Sequence, residues 1–365
     1  MEQSDAEKII RQPKAKTSLK ELAEHLGLSQ TTVSRVVNRS GGSARIPAQT
    51  CDRVLTAAAK FNYKPNALAR SLRSKHSQIV SVIVPEISDG YSASVLSGIE
   101  DGLLLGGYFY FVVSHRHRPE LLREYPSLLI SRAVEGIIAV DSAIEDDLSV
   151  PLVNISGHSR HPSAVNIELD HLLAAHYALE HLKRLGHTRI AIIKGQSFSS
   201  DTQPRWRAIC KVASEIGITI HPRLTVQLEE TGLGLEPGRV ATTKLIERGE
   251  SFSAIFAFND HTAMGAIMAL HEAGLTVPGQ VSVVGFDDIP GAAIHNPPLT
   301  TVRQPLHEMG RVAATELLQM VRNGTRNEVS RTIRILPTFI ERESTAVAAH
   351  VRKSMEPILL RQVHP

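Results

Sequence analysis

Two cysteines, Cys51 and Cys210, are all that this 365-residue chain carries, too few and too scattered for a disulfide framework or a cysteine-built zinc site. No apolar run approaches the roughly 18 residues that a membrane span requires. The opening stretch, MEQSDAEKIIRQPKAK, is polar and charged where a secretory leader would be apolar, so a cytosolic protein is expected. No GxGxxG follows a strand, and the glycine-rich TGLGLEPG (231–238) follows no convincing one, which argues against a dinucleotide site. The phosphate loop GxxxxGK[ST] is missing as well. No serine or cysteine is paired with an oriented base, so an enzyme is not expected. The histidines near one another in sequence (His115 and His117, His158 and His161) lack the carboxylates or cysteines that would complete a metal site. A solvated or ligand-facing loop accounts better for them, and neither a metal nor a cofactor is expected.

What the chain does have is an uneven distribution of charge. Its composition is that of an ordinary folded protein, 42% hydrophobic and 21% charged, and its length allows two or three domains. The net charge of +3 hides an asymmetry: residues 1–76 hold 14 Lys/Arg against 6 Asp/Glu, the remainder 26 against 31. A small basic head on a mildly acidic body fits a protein that meets phosphate backbones at one end. A basic tail without structure would carry the same charge, so the pattern inside the head has to decide.

That pattern is helical. Leu19, Leu22, Ala23 and Leu26 recur at helical spacing in SLKELAEHLG, which Gly27 ends. Ser29 is a natural N-cap for a second helix, SQTTVSRVVN, with Val33, Val36 and Val37 inward. A third amphipathic stretch, PAQTCDRVLTAAAKFNY, would turn Val54, Leu55, Ala58 and Phe61 inward. Two short helices across a glycine turn form a helix-turn-helix when the second bears exposed polar residues. Here these are Gln30, Thr31, Ser34 and Arg35, and glutamine and arginine can pair with base edges in a major groove. A three-helix bundle without nucleic acid is the plainer alternative.

At this point LKELAEHLGLSQTTVSRVVN, followed by FNYKPNALARSLR, resembles the head of the lactose-repressor/galactose-repressor (LacI/GalR) family of bacterial regulators. The resemblance implies that Gln30, Thr31 and Arg35 read bases, while Thr32, Ser34 and Asn38 hold phosphates. It further implies that residues 65–73 form a hinge helix when two copies meet on operator DNA, with Leu72 as a wedge in the minor groove. An apolar wedge can unstack a base step and kink the duplex. Ala69 would allow close approach of two hinge helices, with Asn66 and Arg70 as polar neighbours of the groove. NRSGGSARIPAQT departs from the family pattern by about three extra residues, a loop whose Arg45 could reach a phosphate.

Beyond Gln78, short apolar β-rich runs alternate with helical stretches: 79–85, 108–113, 136–140, 151–155, 189–195, 254–258 and 281–286. Such runs indicate parallel sheets covered on both faces, with ligands at the carboxyl ends of strands. HLKRLGHTRIAIIKG, FAFNDHTAMGAI, VSVVGFDDIPGA and PPLTTVRQP extend the resemblance to residues 17–345. They imply a two-lobed periplasmic-binding-protein-like α/β core that the chain crosses near Asp170, Gln304 and residue 330. The effector contacts so implied are Arg207, Asn259 and Asp287; Asn154, Tyr91 and Gln304 are further candidates at strand ends and loops. Paired carboxylates, an amide and an arginine suit vicinal hydroxyls or an anion; caps and loop bonds are the plainer reading of each. Departures include Asp170-His171 for the family's Asp-Asn, Cys210 at a frequent glycine, and no aromatic near Leu233, leaving Trp206.

The expected organisation is a disordered extension (1–16), a helix-turn-helix domain (17–62), a hinge (63–76), a two-lobed effector and dimerisation domain (77–345) and a C-terminal extension (346–365). Family resemblance implies a cytoplasmic repressor, nucleoid-associated when bound: a homodimer on a pseudo-palindromic double-stranded operator, answering to a sugar-like small molecule and not to a membrane. Two alternatives stay open: a two-lobed transport component or enzyme, and an architectural DNA binder with a vestigial sensor.

Overall fold

A computed structural model describes residues 17–38, 46–64, 71, 76–88, 90–144, 146–156, 163–229, 234–324 and 330–348. The expected hinge residues Asn66, Ala69, Arg70 and Leu72 lie outside these, as do Arg45, His158, His161, Leu233 and the stretch from 349 onward. The chain divides into two compact units, Met1–Ser77 and Gln78–Pro365.

The first unit contains α1 (Leu19–Leu26), α2 (Gln30–Val37) and α3 (Ala48–Lys60). α1 starts where Ser18 and Glu21 form a reciprocal capping box, and it stops at Gly27, whose φ of 66° costs a glycine nothing. Ser29 caps α2 by accepting from the Thr32 amide. Leu22, Val33 and Val54, one from each helix, are fully buried at the centre of the unit. Leu55 departs from expectation: it is 44% exposed, and Ala57 takes the inward position beside Val54 and Ala58. A 3.6-residue period places 54, 57 and 58 on one stripe and turns 55 away from it.

The second unit is built of two sheets. The first holds β1 (Ile79–Val84), β2 (Phe109–Ser114), β3 (Ile137–Val140), β4 (Leu152–Ile155), β5 (Val165–Leu169) and β11 (Arg331–Ile335), in the order β11-β5-β4-β3-β1-β2 and parallel throughout. The second holds β6 (Ile190–Lys194), β7 (Thr225–Gln227), β8 (Ala254–Phe256), β9 (Ser282–Asp287), β10 (Thr300–Arg303) and β12 (Thr338–Ile340), in the order β12-β10-β9-β8-β6-β7, with only β12 antiparallel. This is the two-lobed α/β architecture expected from the sequence.

Each strand face has its own core. Val80, Val82 and Val84 pack under α4 (Gly90–Gly106) and α11 (Leu306–Asn323), while Ile83 points the other way, towards α5 (Pro119–Ile130). The period-2 alternation of a strand covered on both sides requires this split. In the second lobe Phe256 and Phe286 face α6 (His171–Arg184) and α7 (Thr202–Ile216). α8 (Glu236–Glu247), α9 (Asp260–Glu272) and the short α10 (Pro290–Ile294) lie against the opposite face.

The chain passes between lobes after β5 at Asp170, after β10 at Gln304, and between β11 and β12 at Leu336–Pro337. The third passage falls later than the expected residue 330. Arg331–Ile335 first adds a strand to the edge of the first sheet, pairing with β5.

Candidate functional site

α2 presents its polar residues outward. Gln30, Thr31 and Arg35 are exposed; Thr32, Ser34 and Asn38 are half-buried. The last three carry bonds of their own. The Thr32 hydroxyl lies 2.9 Å from Ser29 Oγ, and Asn38 Nδ2 donates to the Ser34 carbonyl and hydroxyl at 2.8 and 3.1 Å. The three exposed side chains are therefore the ones left open to a partner.

In the second unit a cavity of about 470 Å³ opens between the lobes. Tyr91, Arg116, His117 and Asp141 come from the first lobe; Gln196, Phe198, Ser199, Phe258 and Asn259 come from the second. Its volume lies in the range usual for small-molecule sites. Sharp turns follow the strand ends around it, and those at Arg116, His117 and Asp141 line the cavity itself. Arg116 and His117 after β2, Asp141 after β3, Ser156 after β4, and Asp287 and Asp288 at the end of β9 all have positive φ. Side chains in that region cost of order 1–3 kcal/mol each and gather where function requires them.

Hydrogen bonds join the lobes across this cavity. Asp141 accepts from the Ser200 amide at 3.1 Å, the Ser200 hydroxyl at 2.5 Å and the Ser199 hydroxyl at 3.2 Å. The Ser200 hydroxyl also meets the Ser156 carbonyl, and Tyr91 donates to Ser156 Oγ at 3.1 Å. His117 lies against the Phe198 ring, centroids 4.1 Å apart. Burial first, then the neighbouring Asp201 carboxylate, raises Asp141 from 3.8 to about 7. Burial first and then Asp201 and Asp141 also hold the Tyr91 phenol well above its ordinary value.

A carboxyl raised on folding contributes stability that is complete below its unfolded value and lost as pH rises through its folded one. The melting temperature should therefore fall between about pH 4 and 8, and Asp141→Asn should remove part of that fall. Asp141 keeps some solvent access, so its share is about 1 kcal/mol. Parallel melting curves for the variant and the wild type across that range would show the idea mistaken.

Of the effector contacts expected from sequence, the fold brings Tyr91 and Asn259 to the cavity. Asn259 also caps α9, its Oδ1 accepting from the Thr262 amide and hydroxyl at 2.8 and 2.7 Å. Asp287 and Gln304 are buried beside it at the second passage between lobes, Gln304 Nε2 donating to Asp287 Oδ1 at 2.6 Å. Asn154 is placed elsewhere. It is fully buried inside the first sheet, donating to Asn166 on the adjacent strand at 3.0 Å. Arg207 is also placed elsewhere, exposed on α7. The inward arginine is Arg205, two residues earlier. Its guanidinium pairs with Asp201 at 3.0 Å, donates to the Phe258 carbonyl and lies 3.7 Å from the Phe286 ring centroid. Residues separated by two positions on a helix lie on different faces, so a match in sequence spacing could not choose between them.

Sequence reasoning missed Asp141, Ser199, Ser200, Phe198 and Phe258. The strand-end rule that found Asn259 would also have found Asp141, which follows β3 directly. Trp206, the aromatic singled out from sequence, packs instead against the second lobe's core. His115 is buried, with Nε2 2.9 Å from the Ser142 hydroxyl, and burial lowers it to about 4. Among the described residues no cluster suits a metal, and no helix is long and apolar enough to cross a membrane.

Comparison with known proteins agrees with this arrangement at both ends of the chain. Residues 18–66 match the family described as bacterial regulatory proteins, lacI family, and residues 179–345 match a periplasmic binding protein-like domain. The HTH-type transcriptional repressor PurR of Haemophilus influenzae (strain ATCC 51907 / DSM 11121 / KW20 / Rd) is 31% identical over 90% of this chain and 98% of its own length. The HTH-type transcriptional regulator DegA of Bacillus subtilis (strain 168) is 31% identical over 91% and 98%. The structure of the lac repressor dimer bound to operator and the anti-inducer ONPF matches with a TM-score of 0.79 at 25% identity, over 90% of this chain and 99% of that one. The chain belongs to the lacI family of bacterial regulatory proteins, and it is an effector-controlled, DNA-binding transcription regulator.

Proposed function

We propose that this regulator is a repressor that binds a pseudo-palindromic operator as a homodimer and releases or tightens its grip when a sugar or sugar derivative fills the cavity between the lobes. The cavity carries the reading. It sets three aromatic rings, Tyr91, Phe198 and Phe258, among amide, hydroxyl and carboxyl groups, a lining that suits a ring with an apolar face and a hydroxylated rim. Asn259, Tyr91 and Asp141 are the contacts we assign to the effector; Asp287 and Gln304 support them. Arg207, matched from sequence as an effector contact, is not among the contacts we assign; Arg205 instead positions Phe258 in the cavity wall. The site does its work by binding, and no turnover is required of it. A DNA partner places the protein in the cytoplasm.

Gln30, Thr31 and Arg35 are the residues we assign to base edges, with Thr32, Ser34 and Asn38 towards phosphates and Asn66, Ala69, Arg70 and Leu72 as the hinge. The domain limits follow: 17–62 for the head, 63–76 for the hinge and 77–345 for the body. Dimerisation accounts for an apolar surface on the first lobe. Leu105 is 89% exposed at the end of α4, and Phe109 is 62% exposed on the edge strand β2. Exposed apolar side chains on a sheet edge are usually covered by a partner. DNA and effector affinities are then coupled reciprocally, typically by 1–3 kcal/mol.

Selection from a random duplex pool tests the DNA arm. Wild type should enrich a pseudo-palindrome, and Gln30→Ala and Arg35→Ala should each weaken it about tenfold or more, since a good base contact is worth about 1–3 kcal/mol. Non-specific binding should change far less. Failure to enrich any sequence would remove the sequence-specific reading. For the effector arm, a sugar that raises the melting temperature should lose its effect in Asn259→Ala. A nucleobase doing so in place of sugars would overturn the ligand class.

A further inference from the structure

Arg207 lines a second cavity, of about 270 Å³, at the hinge between the lobes. Glu168, at the end of β5, and Arg334, on β11, come from the first lobe; Asp170 is the passage itself; Leu172, Arg207 and Lys211 come from α6 and α7. The three cations are loosely held. Arg334 reaches Asp170 only at 3.9 Å and Lys211 reaches Glu215 only at 3.9 Å, both with largely exposed side chains. Arg207 makes no hydrogen bond or ion pair among the described residues. Leu172 is 42% exposed, an uncovered apolar side chain at the same place.

We propose that this hinge cavity is a second binding site, for a small phosphate monoester that also carries hydroxyl groups. The division of labour follows from the chemistry of the walls. The arginine fork and the lysine point charge suit the phosphate oxygens. Glu168 and Asp170 would repel a bare phosphate but accept hydrogen bonds from hydroxyls, and Leu172 covers carbon. A ligand held by both lobes resists any change in the angle between them. A chain of contacts leads on to the effector cavity: His171 lines the hinge cavity and lies 3.2 Å from Asp201, which pairs with Arg205, which holds Phe258 in the cleft wall. The regulatory part rests on the effector reading given above; the binding site does not.

The test uses the full chain with glycerol 3-phosphate, inorganic phosphate and glycerol, at ionic strength held constant with chloride. Calorimetric titration should show glycerol 3-phosphate bound at least tenfold more tightly than inorganic phosphate. Binding should fall tenfold or more in the Arg207→Gln, Lys211→Gln double variant, whose changes lie on the exposed face of α7. Asn259→Ala, in the effector cavity, should retain it. Undiminished binding in the double variant overturns the proposal, as does loss in Asn259→Ala, which would put the phosphate in the cleft. Equal affinity for inorganic phosphate would mean a free-anion site and overturn the ligand class. A sugar response lost in Asn259→Ala but intact in the double variant keeps the effector reading separate from this one.

Discussion

Gly98→Ala should destabilise the second unit by about 3 kcal/mol or more, although alanine is the better helix former. Two effects of opposite sign compete. Propensity alone favours alanine over glycine in a helix interior by roughly 1 kcal/mol. Crowding opposes it: a Cβ on Gly98 would lie 1.8 Å from the His307 carbonyl oxygen. Its counterpart on the facing helix, Gly310, would bring a Cβ to 2.2 Å from the Val95 carbonyl oxygen. α4 and α11 thus touch backbone to backbone, and no rotamer change can relieve a backbone clash. Overpacking of this kind costs typically 1–3 kcal/mol and more where nothing can yield. Chemical denaturation of the variant, beside Ser97→Ala on the exposed side of the same helix, measures it. A Gly98→Ala protein as stable as wild type would mean that the helices can part freely at this point.

The second lobe repeats the device. A Cβ on Gly265 of α9 would lie 2.0 Å from the Leu235 carbonyl oxygen, and one on Gly238 of α8 would lie 2.3 Å from that of Thr262. These glycines illustrate what a sequence withholds. A glycine inside a helical pattern reads as a small local penalty, and the reason to keep it is the facing backbone.

The same division between near and far runs through the fold. Ser18, Glu21, Gly27 and Ser29 act on residues within a turn of themselves, so the limits of α1 and the start of α2 were legible. The apolar runs of β1, β3, β6 and β9 were legible because both faces are covered. β5 and β11 were not read as strands. β5 (VNIEL) carries Asn166 and Glu168, and β11 (RTIRI) alternates as an edge strand does, so neither shows an apolar run. The cavity was only half legible. A residue that directly follows a strand, such as Asn259, can be placed by rule. A match to a family pattern does not fix helix phase, and on α7 the residue on the inward face is Arg205, two positions before the matched Arg207. Asn154 shows a third limit: a polar residue in a strand satisfies itself across the sheet as readily as it serves a ligand.

Asp260→Ala should cost about 2–4 kcal/mol near pH 5 and clearly less near pH 8.5. The side chain is fully buried at the first position of α9, where Oδ1 accepts from the Thr301 hydroxyl at 2.6 Å and Oδ2 from the Ile289 amide at 2.8 Å. Alanine leaves both donors buried without an acceptor, and each such loss costs about 1–3 kcal/mol. The pH dependence comes from the carboxyl itself. Burial raises it from 3.8 to about 7, against the pull of the Thr301 and Ile289 bonds. Below about pH 4 the raised carboxyl contributes fully to stability, and that contribution drains away as pH rises through 7. The wild type therefore loses part of its advantage over alanine in alkaline buffer. Asp260→Asn separates the two causes. Its amide oxygen can still accept from Ile289 while its NH2 donates to a rotated Thr301 hydroxyl, so the pair of bonds survives without an ionisable group. That variant should stay within about 1 kcal/mol of wild type near neutral pH and show a flatter profile above it. Denaturation midpoints at three pH values decide the matter. If the cost of alanine is the same at all three, Asp260 does not titrate near 7 and its bonds alone account for its place in the fold.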